Sequence, residues 1–342
     1  MAVRVAINGF GRIGRMVLRA AKKNKLDIDF VAINDIADLE PLAMVLRYDS
    51  IHGRYPGTVE WTKNSLIVDG DEIQVFKVSD KRSEDRFAFP WDRLNIDVVV
   101  ESSGIFRRLD EINRHLEAGA RRVLLTVPCK DPLEATIVTG VNDAILRKDH
   151  LVVSNSSCTT NCAAPIAKIL EDAYTIRKGF LTTVHAYTND QRLFDYPHHD
   201  MRRARMAAQN IVPTSTGAAR ALGLVIPSLK GKVEGLAFRV PVPAGSVVDL
   251  TVYTEKKANV DEIHDLMQEA AKGPMKGILK ISEDPIVSAD VIGDPHSSIY
   301  DAPLTQVLGE RMVKVVAWYD NEWAYATRVA ELIPRLHALS AS

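Results

Sequence analysis

Cys158 is the side chain in this sequence best placed to act as a nucleophile. It stands in Ser154-Asn-Ser-Ser-Cys-Thr-Thr-Asn-Cys-Ala-Ala-Pro165, after the apolar run Leu151-Val-Val and before an amphipathic segment from about Thr159 to Tyr174. Serine and asparagine are helix-capping types, so the spacing puts Cys158 where a strand hands over to a helix. Unpaired backbone N–H groups and the positive end of the helix dipole converge at such a point and favour thiolate over thiol. A free cysteine is also commonly a small packed residue, and this stretch alone leaves both readings open. Cys162, four residues on, shares the helix face and reads as a packed neighbour, and Cys129 as a core thiol. No second cysteine or histidine pair stands at metal-ligand spacing, so no metal site is expected.

A cysteine nucleophile needs a base or hydrogen-bonding partner, usually histidine. His185 lies in the strand-like Phe180-Leu-Thr-Thr-Val-His-Ala-Tyr and leads into the polar turn Thr188-Asn-Asp-Gln. His198 and His199 sit in a charged loop and His52 in a turn, all better suited to water. A lone strand histidine is more often a satisfied core residue than a base. Asp200-Met-Arg-Arg-Ala-Arg205, Arg239 and the hydroxyl-rich Pro213-Thr-Ser-Thr-Gly217 could bind phosphate oxygens. By spacing alone they fit a solvated charged loop and a surface ion pair at least as well.

A second chemistry-bearing stretch lies at the start. Val3–Asn8 is apolar, Gly9-Phe-Gly11-Arg-Ile-Gly14 follows, and Met16-Val-Leu-Arg-Ala-Ala has helical spacing. Strand, G-x-G-x-x-G and helix form the dinucleotide fingerprint in its required context, with the pyrophosphate on the helix N-terminus. A second strand, Phe30–Asn34, ends at Asp35, whose carboxylate suits the ribose hydroxyls of NAD and repels the extra phosphate of NADP.

The elements that must position these groups fall into two sets. Up to Ser154 strands alternate with helices: Leu39–Leu46 and Leu109–Ala118 read as helices. Ser65–Val78 reads as a strand pair around Asp69-Gly70, and Asp97–Glu101, Arg122–Thr126, Ala135–Gly140 and Leu151–Ser154 as strands. This is the grammar of an α/β, mainly parallel, doubly wound Rossmann-type sheet. Asp35, Ser103, Thr126 and Ser154 fall at strand ends, where such sheets bind ligands, so nucleophile and cofactor are expected to share one crevice. After about Ala173 strands predominate: Val233–Val242, Val247–Thr254, Ile278–Ile281, Ile286–Val291, Ser298–Tyr300 and Val313–Tyr319. With a helix at Val260–Ala271, they predict an α+β domain with a mixed or antiparallel sheet and helices on one side. The expected domains are 1–157, completed by a C-terminal helix over 321–342, and 158–320.

Composition bounds the function. The 342 residues suffice for two domains, and 43 basic against 44 acidic residues leave no field to recruit nucleic acid or an anionic membrane. No apolar run reaches the roughly 18 residues of a membrane span, and the N-terminus lacks the layout of a signal peptide. Three cysteines make no disulfide framework, which points to a reducing cytoplasm.

The sequence resembles the phosphorylating, NAD-dependent glyceraldehyde-3-phosphate dehydrogenases over essentially its whole length. The resemblance rests on Ile7–Arg15, Tyr48-Asp-Ser-Ile-His-Gly-Arg54, Ser154–Cys162, Thr182–Gln191, Arg202–Arg205 and Pro213–Ala218. It continues with Arg239-Val-Pro-Val-Pro243, Gly293-Asp-Pro-His-Ser-Ser298 and Trp318-Tyr-Asp-Asn-Glu-Trp323. It implies that Cys158 attacks the aldehyde to give a thiohemiacetal and then a thioester, released by inorganic phosphate as an acyl phosphate. His185 would lower the thiol pKa, bind the oxyanion and manage the proton, helped by the Cys158 N–H. Thr188 and Arg239 would hold the substrate phosphate; Ser157, Thr159, Thr216 and Gly217, with Arg203 nearby, would hold the incoming one. NAD would lie on Gly11, Arg12, Ile13, Asp35, Arg82, Ser103, Thr126 and Asn321, with Arg82 in the most loosely matching context. The family's usual state implies a homotetramer built partly on the loop containing Asp190–Arg205. Arg107, Cys129, Ala244 and Ala324 depart from the common pattern, and Arg107 would bear on cofactor affinity. Erythrose-4-phosphate dehydrogenase shares the cysteine chemistry and resembles the stretch Asp131-Pro-Leu-Glu-Ala-Thr136, but tends to lose the Thr-Ser-Thr-Gly and Tyr-Thr-Asn-Asp motifs present here. A non-enzymatic binding protein would predict salt-sensitive RNA binding without turnover, and a cysteine hydrolase would leave the glycine fingerprint unexplained.

Overall fold

The structure, a computed structural model, describes residues 2–78 and 89–341. The chain forms two compact units. The first comprises residues 1–137, 144–156 and 326–342, and the second residues 138–143 and 157–325.

In the first unit β1 (Val3–Asn8), α1 (Arg12–Lys23), β2 (Ile28–Asn34) and α2 (Leu39–Arg47) follow in sequence. A short ribbon, β3 (Tyr48–Asp49) and β4 (Gly53–Arg54), precedes β5 (Val59–Trp61), β6 (Ser65–Val68) and β7 (Asp71–Phe76). Then come β8 (Val98–Glu101), α3 (Leu109–Glu117), β9 (Arg122–Leu125), β10 (Ala135–Thr136) and β11 (Val152–Ser154). The sheet order is β10-β11-β9-β8-β1-β2-β7-β6-β5, parallel from β10 to β7, with β6 and β5 antiparallel at one edge. Val98, Val99 and Val100 are wholly buried, as a parallel strand covered on both faces requires. The strand expected over Ala135–Gly140 stops at Thr136. Asn142 accepts the Val138 N–H and Asp143 the Gly140 N–H, so side chains replace the ladder with a turn.

The second unit contains α4 (Cys158–Tyr174), β12 (Ile176–Ala186), β13 (Val212–Ser215), α5 (Ala218–Val225), β14 (Val233–Val240) and β15 (Ser246–Thr254). It continues with α6 (Val260–Lys272), β16 (Leu279–Ser282), β17 (Ser298–Leu308), β18 (Met312–Tyr319) and the start of α7 (Trp323–Ala341). Its sheet, β13-β14-β12-β15-β18-β17-β16, is mixed: β12/β14 and β16/β17 pair parallel, the other neighbours antiparallel. Ala163, Ile166 and Leu170 of α4, Leu222 of α5 and Met267 of α6 pack on Leu181, Leu250 and Val315 of the sheet. Each fully buried large side chain there contributes about 1.5–3 kcal/mol.

One local expectation changes, and two further elements appear where none was expected. Ile286–Val291 is not a strand: Asp290 accepts the Val287 N–H at 2.7 Å, and Ser288–Val291 closes as a 3-10 turn. Val212–Ser215 is a strand despite Pro213, which an edge position tolerates because no ladder donor is needed on the open side. Ala218–Val225 is a helix too short and too uniformly apolar to show a period.

Candidate active site

The strand-to-helix handover is built as its sequence implies. β11 ends at Ser154, and Ser156, at φ 57°, takes a left-handed turn unusual for a non-glycine residue. Ser157 caps α4, its Oγ accepting the Thr160 N–H at 3.1 Å while its carbonyl accepts from Asn161. Cys158 is therefore the first helical residue, where backbone N–H groups lack intrahelical partners. Pro165, inside α4, removes one ladder bond at a cost of about 3 kcal/mol, offset by the burial of the helix.

Cys158 Sγ lies 3.4 Å from His185 Nε2. His185 is buried near the end of β12, and Arg239 sits directly beside it in the parallel register of β14. His185 Nδ1 is 2.7 Å from the Ala186 carbonyl, and Arg239 Nη1 is 2.5 Å from Nδ1 and 3.2 Å from that carbonyl. Nδ1–H donating to the carbonyl leaves the Nε2 lone pair facing the sulfur, the geometry of a base for the thiol proton.

Electrostatics refine the expectation of a thiolate. Burial raises the Cys158 thiol, opposed by the Arg239 charge and by hydrogen bonding from Thr159. Burial, reinforced by Arg239, lowers His185 to about 3. Burial thus opposes the ionisation that the helix terminus and Arg239 favour, and the imidazole beside the sulfur is placed to take its proton.

Tyr319, which sequence reasoning did not single out, packs edge-on against the His185 ring at 5.8 Å between centroids. Its hydroxyl meets Thr159 Oγ1 at 2.8 Å and Thr183 Oγ1 at 3.1 Å, so the Thr159 side chain is engaged with Tyr319 here. The available signal was its place in Trp318-Tyr-Asp-Asn, two residues before Asn321. Ser246 was missed as well. Its hydroxyl accepts the Ala186 N–H and so donates to Asn321 Oδ1 at 3.0 Å, turning the Asn321 amide NH2 the other way.

Thr188 follows β12 by two residues, its N–H bonded to Gln191. Gly217 caps α5, and Thr216 Oγ1 accepts the Ala218 N–H at 3.2 Å. The N-termini of α4 and α5 thus carry Ser157, Thr159, Thr216 and Gly217, a setting suited to anions. Arg203 is held by Thr214 at 2.9 Å and by ion pairs with Asp190 and Asp200.

In the first unit Gly11 caps α1, and Arg12 and Ile13 open the helix. Gly9 has φ +87°, and a Cβ there would stand 2.4 Å from the Ser103 Cα. Gly11 has open space where a Cβ would go, leaving bare backbone for a pyrophosphate. Arg12 turns its guanidinium to Asp49 at 3.1 Å, so its backbone rather than its side chain faces the turn. Asp35, at the end of β2, accepts the Phe10 and Ala37 N–H groups, tying it to the glycine turn. Ser103 and Thr126 follow β8 and β9, Thr126 Oγ1 donating to the Glu101 carbonyl. These features fit a dinucleotide. Arg82 lies outside the described residues. Of the four departures, two meet: the Cys129 thiol donates to the Arg107 carbonyl at 3.3 Å, whereas Ala244 and Ala324 are buried.

Comparison with known proteins agrees with both units. Residues 3–109 match the family described as glyceraldehyde 3-phosphate dehydrogenase, NAD binding domain, and residues 157–321 match the corresponding C-terminal domain. The chain is 52% identical over 339 residues to glyceraldehyde-3-phosphate dehydrogenase of Mycolicibacterium smegmatis, covering 97% of this chain and 98% of that one. It is 51% identical over 333 residues to the enzyme of that name from Geobacillus stearothermophilus, covering 97% of each. With a dinucleotide turn in one unit and a cysteine–histidine–arginine cluster in the other, this chain belongs to the glyceraldehyde-3-phosphate dehydrogenase family.

Proposed function

We propose that this chain is a phosphorylating, NAD-dependent glyceraldehyde-3-phosphate dehydrogenase of glycolysis and gluconeogenesis. It would convert D-glyceraldehyde 3-phosphate and inorganic phosphate to 1,3-bisphosphoglycerate. The observation that carries the reading is the 3.4 Å approach of Cys158 Sγ to His185 Nε2 at the start of α4, beside Arg239. His185 Nε2 takes the thiol proton as Sγ bonds to the aldehyde carbon, and the Cys158 N–H and the imidazolium stabilise the resulting oxyanion. Bound NAD would supply the hydride acceptor for oxidation of the thiohemiacetal to the thioester, with His185 Nε2 positioned to receive the hydroxyl proton. Thr188 and Arg239 hold the substrate phosphate. Ser157, Thr159, Thr216 and Gly217, with Arg203, hold the phosphate whose oxygen attacks the thioester carbon, taking the acyl group as an acyl phosphate and releasing the Cys158 thiolate. Residues 1–157 with the C-terminal helix bind NAD, on Gly11, Arg12, Ile13, Asp35, Arg82, Ser103 and Thr126. Residues 158–320 carry the chemistry, and Asn321 fixes the nicotinamide amide.

A homotetramer in a reducing cytoplasm completes the proposal. Pairing registers put Phe180, Leu236, Tyr253, Leu308 and Met312 on the sheet face opposite α4–α6, and Phe180 and Leu308 are 69% and 72% exposed. Such an apolar face suits a second copy of the chain. All three cysteines are free, and among the described residues no helix is long and apolar enough to cross a membrane.

The test is NADH production with glyceraldehyde 3-phosphate and erythrose 4-phosphate in parallel, each with and without inorganic phosphate. Phosphate-dependent turnover favouring the triose is expected. Faster, phosphate-independent oxidation of the tetrose would overturn the substrate, and inactivity with both would overturn the enzyme.

A further inference from the structure

We propose that Glu101 is the positioning residue of the dinucleotide turn, and that it serves only as a carboxylate because two chains of obligate donors end on it. The inference rests on the reading that the β1–α1 turn binds NAD. Glu101 closes β8 and is 1% exposed. One oxygen, Oε1, accepts the Ser103 N–H at 2.9 Å and the Ser103 hydroxyl at 2.5 Å. The other, Oε2, accepts from Asn8 Nδ2 at 2.5 Å and faces His115 Nε2 at 3.0 Å. Asn8 immediately precedes Gly9, and the Ser103 backbone is what Gly9 touches. One side chain therefore ties together both loops that shape the turn.

The direction of every hydrogen bond follows from groups that can only donate. On one side the Val78 N–H donates to Asn34 Oδ1 at 2.7 Å, which turns Asn34 Nδ2 to Asn8 Oδ1 at 2.8 Å. Asn8 must then present Nδ2 to Glu101. On the other side the Trp91 indole N–H donates to His115 Nδ1 at 3.1 Å. His115, wholly buried, must carry its hydrogen on Nε2 and donate it to Glu101. Four donors thus converge on one group, and only an ionised carboxylate accepts from all of them. A glutamine of the same shape would set its NH2 against the Ser103 N–H in one orientation and against the Asn8 and His115 donors in the other.

The test uses the full-length protein, with NAD affinity by calorimetry and NADH turnover at saturating NAD. Glu101→Gln is expected to weaken NAD binding roughly tenfold or more, with kcat at saturating NAD within about twofold of wild type. Adding Trp91→Phe frees His115 Nδ1 to carry the hydrogen, so Nε2 can accept from the new amide. The double variant should then bind NAD at least about threefold more tightly than Glu101→Gln alone, although Trp91→Phe by itself does not strengthen binding. A generic packing role would make the two changes additive losses. Glu101→Gln within twofold of wild type, or a double variant no better than the single, would overturn the proposal. Should Glu101→Gln not fold, 15N-histidine NMR of the wild type decides: the Nε2–H tautomer at His115 supports the proposal, and Nδ1–H refutes it. Wild-type protein that fails to bind NAD at all would instead refute the dinucleotide reading itself.

Discussion

His185 and Arg239 are register partners on the adjacent parallel strands β12 and β14, and the Arg239 guanidinium reaches the His185 Nδ1. A ring nitrogen cannot both donate to the Ala186 carbonyl and accept from the guanidinium. The two side chains therefore compete for that carbonyl, and the arginine charge works with burial to keep the imidazole neutral.

Replacing that charge should move the histidine. Arg239→Gln is expected to raise the pH at which His185 titrates above its wild-type value of about 3, as followed by 15N-histidine NMR. The same variant should lose on the order of 100-fold in kcat/KM for the phosphorylated aldehyde, through lost charge-assisted bonds. An unmoved His185 titration would show that the arginine does not set its basicity.

Removing the nucleophile separates chemistry from cofactor binding. Cys158→Ser is expected to lower turnover by roughly three orders of magnitude or more, with NAD affinity within about twofold of wild type. His185→Asn should cost about 10²–10⁴-fold in kcat. Stopped-flow NADH absorbance and NAD titration measure the two quantities, and near-normal turnover in Cys158→Ser would remove the nucleophile assignment.

Acid should destabilise the protein in two stages. His185 has a folded value of about 3, below its ordinary 6.5, so the unfolded chain takes up the proton first as pH falls from about 6.5. Stability declines across that window. Asp49 is also depressed, to about 2: burial works against its ionisation, but the His52 and Ile51 N–H groups and Arg12 hold it charged. Its contribution, about 2 kcal/mol, is fully present above the ordinary value near 3.8 and lost as pH falls through 2. Urea unfolding at pH 7 should find Asp49→Asn less stable by about that amount, with the difference shrinking between pH 4 and pH 2. A pH-independent difference would contradict the assignment.

Charging the exposed sheet face should change assembly. Phe180→Glu combined with Leu308→Glu is expected to shift the protein to a smaller species in light scattering, with the secondary structure seen by circular dichroism unchanged. An unaltered mass would exclude this face from the interface.

The glycine turn, the capped start of α4 and the amphipathic α6 were legible because each is set by residues near one another in sequence. Gly9 and Gly14 admit close backbone approach, Ser157 caps the turn it precedes, and Ile263, Met267 and Ala270 keep one helical face. Residue type and spacing also put Cys158 at the start of a helix, but left a nucleophile and a packed thiol equally open there. Long-range pairing decided the rest. Strand β13 was hidden by Pro213, whose cost depends on lying at a sheet edge, which no local pattern reveals. The partnership of His185 with Arg239, 54 residues apart, exists only because β14 pairs in parallel with β12. The environment of the Cys158 thiol likewise depends on the whole fold. A helix start favours thiolate locally, but burial is a property of everything packed around the sulfur and opposes it. Local chemistry is written in neighbouring residues, whereas dielectric environment and hydrogen-bond partners belong to the assembled fold.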